Sequence, residues 1–278
     1  MQVQPHLTDT TAINLKPMQS PQKCSSSNSP FACLLLATGL FALVFTLGAA
    51  QPKKEATLRA EPVSWARLIT PNKDWDVHGD RDPDLAQFIR GNTSLDIHRS
   101  PRPANPTQLE DLCRHPFIYA KDLRWVNNAS HLANLGEYLR RGGFLCVDAC
   151  ATEAVNPDME VYVRANHAIF KRMLPEAEIR KLPTTHGIYD CYFKLSRADV
   201  YTADMGNQER CANYGMYGVF VGNRMVAVIS MYGLQCGWPQ TPRRTPGCMK
   251  FILNLYLYAL TAGPEPQRPG SEPESTAR

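Results

Sequence analysis

The chain is short of the features that would place it quickly. Its 278 residues carry 30 Lys and Arg against 26 Asp and Glu, a formal net charge of only +4, and no basic run is interleaved with aromatics. Nucleic-acid binding therefore has no electrostatic footprint here. Cysteine and histidine show none of the spacings of a zinc ribbon or finger, so structural zinc is not expected. No internal repeat is visible, which excludes solenoids and propellers. What is present is a 44% hydrophobic share, enough for one sizeable folded core at this length.

The first fifty residues are a different kind of sequence. Residues 1–30 are polar, with Ser25, Ser26, Ser27, Asn28 and Ser29 in a row, and cannot build a core. Residues 31–50, Phe31 to Ala50, are free of charge and rich in Leu, Phe and Ala. At about 1.5 Å per residue such a run is long enough to span a bilayer as a helix. Gly48, Ala49 and Ala50 look like a signal-peptidase site, while the length of the run fits an uncleaved anchor; a buried core helix is the third reading. Lys16 and Lys23 before the run and Lys53, Lys54 and Arg59 after it leave orientation open. Both leading readings put the folded part outside the cytoplasm, periplasmic or secreted, or held on the membrane through residues 31–50 if these stay uncleaved. Only Lys16, Lys23 and Asp9 of the charged residues lie in that leader, so the remainder is nearly neutral. Cys24 and Cys33 go with it, and the seven cysteines left are an odd number. An oxidising compartment would permit disulfides among them, with at least one thiol over and no pairing readable from spacing.

Residues 51–62 read as a linker, 63–263 as a single domain, and 264–278, full of Pro, Glu and Ser, as a disordered tail. Within the domain the organising stretch is Leu139–Cys150. Leu132, Leu135 and Leu139 share one face of a helix that Ser130 is placed to cap. Arg140 and Arg141 suit its negative end, and Gly142 or Gly143 ends it in the left-handed conformation. Phe144–Val147 is then an apolar run without alternation, as in a strand covered on both faces. That pattern predicts an α/β core, with ligands expected beyond the carboxyl ends of the strands, where Asp148 and Cys150 would sit.

Other elements are expected around it. Val63–Ile69, Leu95–His98 and His115–Ala120 read as strands. Asp84–Arg90 reads as a helix stopped by Gly91, with a brief helix at Leu109–Cys113 after a proline-rich loop. Met159–Met173 reads as a helix closed by Pro175. Leu182–Tyr189 looks like a shaped loop over the sheet's edge. Tyr217–Val221 and Met225–Met231, separated by Gly222 and Asn223, read as a hairpin, and Met249–Leu260 as the last helix.

Five motifs in order, "HPFIYA", "LGEYLRRGGFLCVDAC", "LPTTHGIYDCYFKL", "VISMYGLQCGW" and "NLYLYALT", make residues 63–263 resemble the bacterial family called domain of unknown function 4159, of the class I glutamine amidotransferase-like superfamily. The resemblance implies a three-layer flavodoxin-like sandwich with a mainly parallel sheet, and members that are often secreted or tethered by an amino-terminal hydrophobic segment. It supplies no established activity, and the motifs imply no cofactor. Catalytic amidotransferases place a cysteine on a strained elbow between strand and helix. Here Asp148 ends the corresponding strand, and Ala149, Cys150, Ala151 and Thr152 lack the elbow's glycines.

The candidate site residues follow. Asp148 is first: a strand-end carboxylate can ligate a cation, act as a base, or cap the next helix. Cys150 is a candidate nucleophile if His167 or His186 supplies a base, with a buried or bridged cysteine as the plainer alternative. Cys146, inside the strand, is packing. His186 can join Asp148 and Asp190 in a polar cluster, or bond loop backbone; a metal at Asp148 and His186 would need a third ligand. Tyr232 and Trp238 flank a glycine-containing loop that can line a groove or stack a sugar ring, or serve only as a core edge. The function expected is a binding or scaffolding domain of the cell envelope, with an envelope or membrane protein among its partners. The alternative is an envelope hydrolase using Cys150 or a metal at Asp148.

Overall fold

The central strand earns its position from the turn that feeds it. The structure is a computed structural model that describes residues 62–72, 75–149, 158–200, 214–237 and 246–261. Helix α3 (Ala129–Arg140) buries Leu132, Leu135, Tyr138 and Leu139. Its N-cap is Asn128, whose side chain accepts from the Ser130 N–H at 2.8 Å, so Ser130 is the capped residue and not the cap. The reason is backbone conformation: Asn128 is extended, as a cap must be, whereas Ser130 already lies inside the helix. After the helix Gly142 takes φ +111°, a conformation closed to most side chains. At Gly143 a Cβ would lie 2.2 Å from the Tyr138 ring, so the chain can return past that ring only as glycine. The Tyr138 hydroxyl donates to His115 O or Phe144 O and accepts from the Phe144 N–H, which locks the start of β4 (Phe144–Asp148) to the helix before it.

β4 is the middle of a seven-stranded sheet in the order β2-β1-β3-β4-β7-β6-β5. Its other members are β1 (Ala66–Leu68), β2 (Arg102–Ala104), β3 (Phe117–Ala120), β5 (Glu178–Lys181), β6 (Met216–Val221) and β7 (Arg224–Ser230). The five strands from β2 to β7 are parallel, and β6 and β5 add antiparallel pairings at one edge. The protein is thus α/β with a mostly parallel sheet. The remaining helices are α1 (Asp82–Asn92), α2 (Leu109–Leu112), α4 (Met159–Met173), α5 (Arg197–Val200) and α6 (Pro246–Thr261). No helix among the described residues is long and apolar enough to cross a membrane; residues 31–50 lie outside them.

Alternation along the strands divides the core. Ala66, Ile118, Leu145, Val147 and Ala227 point into one apolar cluster with α3 and α4 residues such as Leu135 and Phe170. Trp65, Phe117, Tyr119, Phe144 and Cys146 point into the other, with Leu85 of α1 and Tyr256 of α6. There Trp65, Phe117 and Phe144 stack in a row at 5.3 and 5.7 Å between centroids, and Tyr256 covers Phe117 at 5.3 Å.

Several expectations change. Gly91 lies inside α1, which continues to Asn92, because an isolated glycine weakens a helix without ending one. Leu95–His98 forms only the isolated bridge between Val63 and Ile97. The second strand is instead Arg102–Ala104, within the proline-rich stretch, where an edge position tolerates Pro103. Glu178–Lys181, with no apolar run, is also an edge strand. Two expectations hold as read, the Gly222 hairpin and the helix Met159–Met173, which is α4; its cap, Asp158, accepts from the Glu160 and Val161 N–H groups. The hairpin turns at Gly222 with φ +57°.

Candidate functional site

Arg67, Tyr119 and Asp148 follow Trp65, Phe117 and Cys146 by one alternation step on β1, β3 and β4. All three therefore face the side of the sheet that carries α1 and α6, toward its carboxyl end. Arg67 and Tyr119 are register partners across β1 and β3, and the guanidinium lies 5.0 Å from the Tyr119 ring centroid. Arg67 donates from Nε and Nη2 to the two oxygens of Asp82, at 2.5 and 2.6 Å. Asp82 opens α1 and also accepts from Trp65 Nε1 at 3.0 Å. Both charges are almost fully buried, and burial pushes the Asp82 carboxyl up against the pull of Arg67. Burying such a pair is tolerable because every strong direction is used: a two-pronged contact, an indole N–H and backbone carbonyls.

The loop after β7 closes the network. Gln235 donates from Nε2 to Val77 O at 3.1 Å. Its Oε1 accepts from Tyr119 OH at 2.8 Å and, more weakly, from Arg67 Nη1 at 3.5 Å. Its backbone N–H reaches Asp148 Oδ2 at 3.2 Å, and Tyr119 OH lies 3.1 Å from the same oxygen. Tyr119 has one hydroxyl hydrogen and Gln235 Oε1 can only accept. When that hydrogen goes to Gln235, Asp148 completes the chain by carrying a proton of its own. Desolvation acts the same way: burial raises the Asp148 carboxyl to about 6, while Ser230, the backbone of Leu234 and Gln235, and Tyr119 pull it back. Its second oxygen, Oδ1, is buried without a well-formed hydrogen bond among the described residues. The Ser230 hydroxyl and the Leu234 N–H are the groups that most favour the Asp148 anion.

Of the residues expected at the site, Asp148 stands at the end of β4. Cys150 and Trp238 lie outside the described residues. Tyr232 is 1% exposed; it shares a hydrogen bond of 2.9 Å with the Tyr189 hydroxyl and packs on Phe251. It belongs to the core and presents no face for stacking a sugar, because the glycine-containing loop turns inward over α6. His186 accepts through Nδ1 from the Ile188 N–H, and its ring is 5.9 Å from Tyr258. Tyr258 in turn meets Phe144, at the amino end of β4, so His186 stands toward the opposite end of the strand from Asp148. His167, on α4, packs edge-on against Tyr217. Cys146 is buried and its thiol pKa is driven well up, first by desolvation and then by Asp148. No group of three or more His, Cys, Asp or Glu side chains that could hold a metal occurs among the described residues.

Four members of the network escaped sequence reasoning: Arg67, Asp82, Tyr119 and Gln235. Arg67 had one signal, a lone charge inside the run Trp65–Ile69. Beside it a small cleft of about 240 Å³, lined by Trp75, Asp76, Asp80 and Arg102, opens over β1 and β2. A family model described as "Domain of unknown function (DUF4159)" matches residues 64–260. No curated protein matches the chain.

Proposed function

The chain belongs to this family, the domain of unknown function DUF4159, and we propose that it is a binding or scaffolding domain of the cell envelope without amidotransferase activity. We assign it the three-layer, flavodoxin-like architecture of class I glutamine amidotransferase-like proteins. The parallel order β2-β1-β3-β4-β7 and the apolar clusters on the two faces of the sheet support that assignment. We place it outside the cytoplasm, released from or tethered to a membrane through residues 31–50, whose uncharged length is the support.

One observation carries the functional reading. At the end of β4, where catalytic relatives set up a nucleophile, this chain has a carboxylate that is 2% exposed and tied to Tyr119 and Gln235. A group so enclosed organises the strand ends of β1, β3 and β4 and the β7 loop. It does not present an accessible thiol, and neither candidate histidine is bonded to it. The test is labelling of the full chain with iodoacetamide near pH 7, each cysteine followed by peptide mass. Exposed Cys113 is the internal reference, and Cys150 should react no faster than it. Faster labelling of Cys150, with a hydrolase activity lost in Cys150→Ala, would overturn the proposal.

A hydrolytic alternative draws on the same carboxyl. A pKa near 6 suits a general acid or base at neutral pH, and Oδ1, buried without a well-formed hydrogen bond among the described residues, is where a water would bind. Under that reading Asp148→Asn abolishes turnover of an ester or amide while the protein still melts cooperatively.

A further inference from the structure

A larger polar cleft lies at the other, amino-terminal end of the sheet. Its volume is about 550 Å³, and Ser64, His98, Arg102, Asp111, Arg114 and His115 line it. Four segments converge there. Ser64 leads into β1, His98 follows the bridge at Ile97, Arg102 opens β2, and Asp111 to His115 run from α2 toward β3. Ser64 Oγ and His115 Nδ1, both buried, share a hydrogen bond of 2.6 Å, which sets a fixed polar floor. Above it stand two exposed arginines, Arg102 and Arg114. Neither side chain has an ion pair or hydrogen bond among the described residues. Asp111 is the one carboxylate among the described residues that line the cleft, and it already accepts from the Asn105 N–H at 2.8 Å. The charge of the arginines is felt at the floor: burial first, and then Arg114 and Arg102 against Asp111, hold the His115 pKa below its ordinary value.

We propose that this cleft binds a phosphate group, with Arg102 and Arg114 as its charge partners and Ser64 and His115 as the polar floor. Two unpaired guanidinium forks facing a concave surface concentrate anions. A planar carboxylate is satisfied by a single fork, whereas donors from separate segments suit a tetrahedral oxyanion with acceptors in several directions. The cleft is far larger than one phosphate, so the group is carried on a larger body. Two sources share this chemistry, a soluble phosphoester and a phospholipid headgroup. Pro62 lines the cleft and only residues 51–61 separate it from the hydrophobic run, a reach of about 36 Å when extended at ~3.3 Å per residue. A run left in the bilayer therefore keeps the cleft within range of headgroups.

The experiment is titration of the full chain, purified in detergent at low salt, with inorganic phosphate, read through the ring resonances of His98 and His115. The expected result is a saturable shift with Kd at or below about 1 mM. Arg102→Ala with Arg114→Ala should weaken it about tenfold or more without altering the melting temperature, since both side chains are exposed. No saturable shift, or a shift that survives loss of both arginines, overturns the proposal. Repeating the titration with the chain reconstituted in phosphatidylcholine vesicles, with and without phosphatidylglycerol, names the source. Competition by the anionic lipid assigns the headgroup, and unchanged phosphate binding assigns a soluble phosphoester. The cleft shares none of these residues with the Asp148 network, so its failure leaves the thiol test untouched.

Discussion

At Asp148 the native state holds its proton to about pH 6, against an ordinary value of 3.8. Between those values the folded chain binds more protons than the unfolded one. The stability contribution is therefore fully present below about pH 4 and is lost as pH rises through about 6. A shift of that size corresponds to roughly 3 kcal/mol at most. Asp148→Asn removes the charge and keeps an acceptor for Gln235, so it should exceed the parent in stability at pH 7.5 by about 1–3 kcal/mol and match it near pH 4. Urea unfolding at both pH values checks this; a constant difference would show that the carboxyl is already ionised at pH 4. The Arg67–Asp82 pair makes the opposite kind of statement. Arg67→Ala strands a buried carboxylate and should cost about 3–5 kcal/mol, most of which returns when Arg67→Met is combined with Asp82→Leu. Failure of the double variant to recover would place the loss in the contacts of Arg67 with Val77 and Gln235. Asp148 was legible in the sequence because a carboxylate ends an apolar run. Gln235 was not, since it meets Arg67 from 168 residues away.

Element boundaries were legible where local chemistry sets them. Met159–Met173 has an acidic cap and a 3.6-residue apolar period, and its bounds need no tertiary information. β2 and β5 lack such signals. Each is a short edge strand, one holding a proline and the other mostly charged, and pairing with a neighbour alone makes them strands. The turn between α3 and β4 is both local and tertiary: Gly142 is recognisable, while the need for glycine at 143 arises from the Tyr138 ring. Gly143→Ala should displace that ring and its bonds to His115 and Phe144, costing roughly 2–3 kcal/mol. Thermal unfolding measures it, and a loss below about 0.5 kcal/mol would mean that the ring yields freely.

Across the whole molecule, stability should fall from the middle of the sheet outward. β4 is buried along its length and flanked by parallel neighbours, whereas β5 is half exposed at the edge. Hydrogen exchange followed by mass spectrometry should find the slowest amides in β3, β4 and β7 and much faster ones in β5. Equal protection of β5 and β4 would contradict this gradient. The same layout sets the two polar regions at opposite ends of the sheet, with Asp148 at the carboxyl end and the Ser64–His115 cleft at the amino end.

Sequence alone determined the α/β class, the central helix–turn–strand unit, the hairpin and the place of Asp148 at the end of its strand, because each rests on residues a few positions apart. The tertiary structure decided what surrounds Asp148. Sheet order put β1 beside β3 and β7 beside β4, which gathered Arg67, Asp82, Tyr119 and Gln235 into one buried network. The inward turn of the β7 loop placed Tyr232 in the core, and the path of the chain after β5 carried His186 toward the other end of β4. Hydrogen bonds between residues far apart in sequence leave no local pattern, and burial converts single polar residues into a network only once the strands are paired.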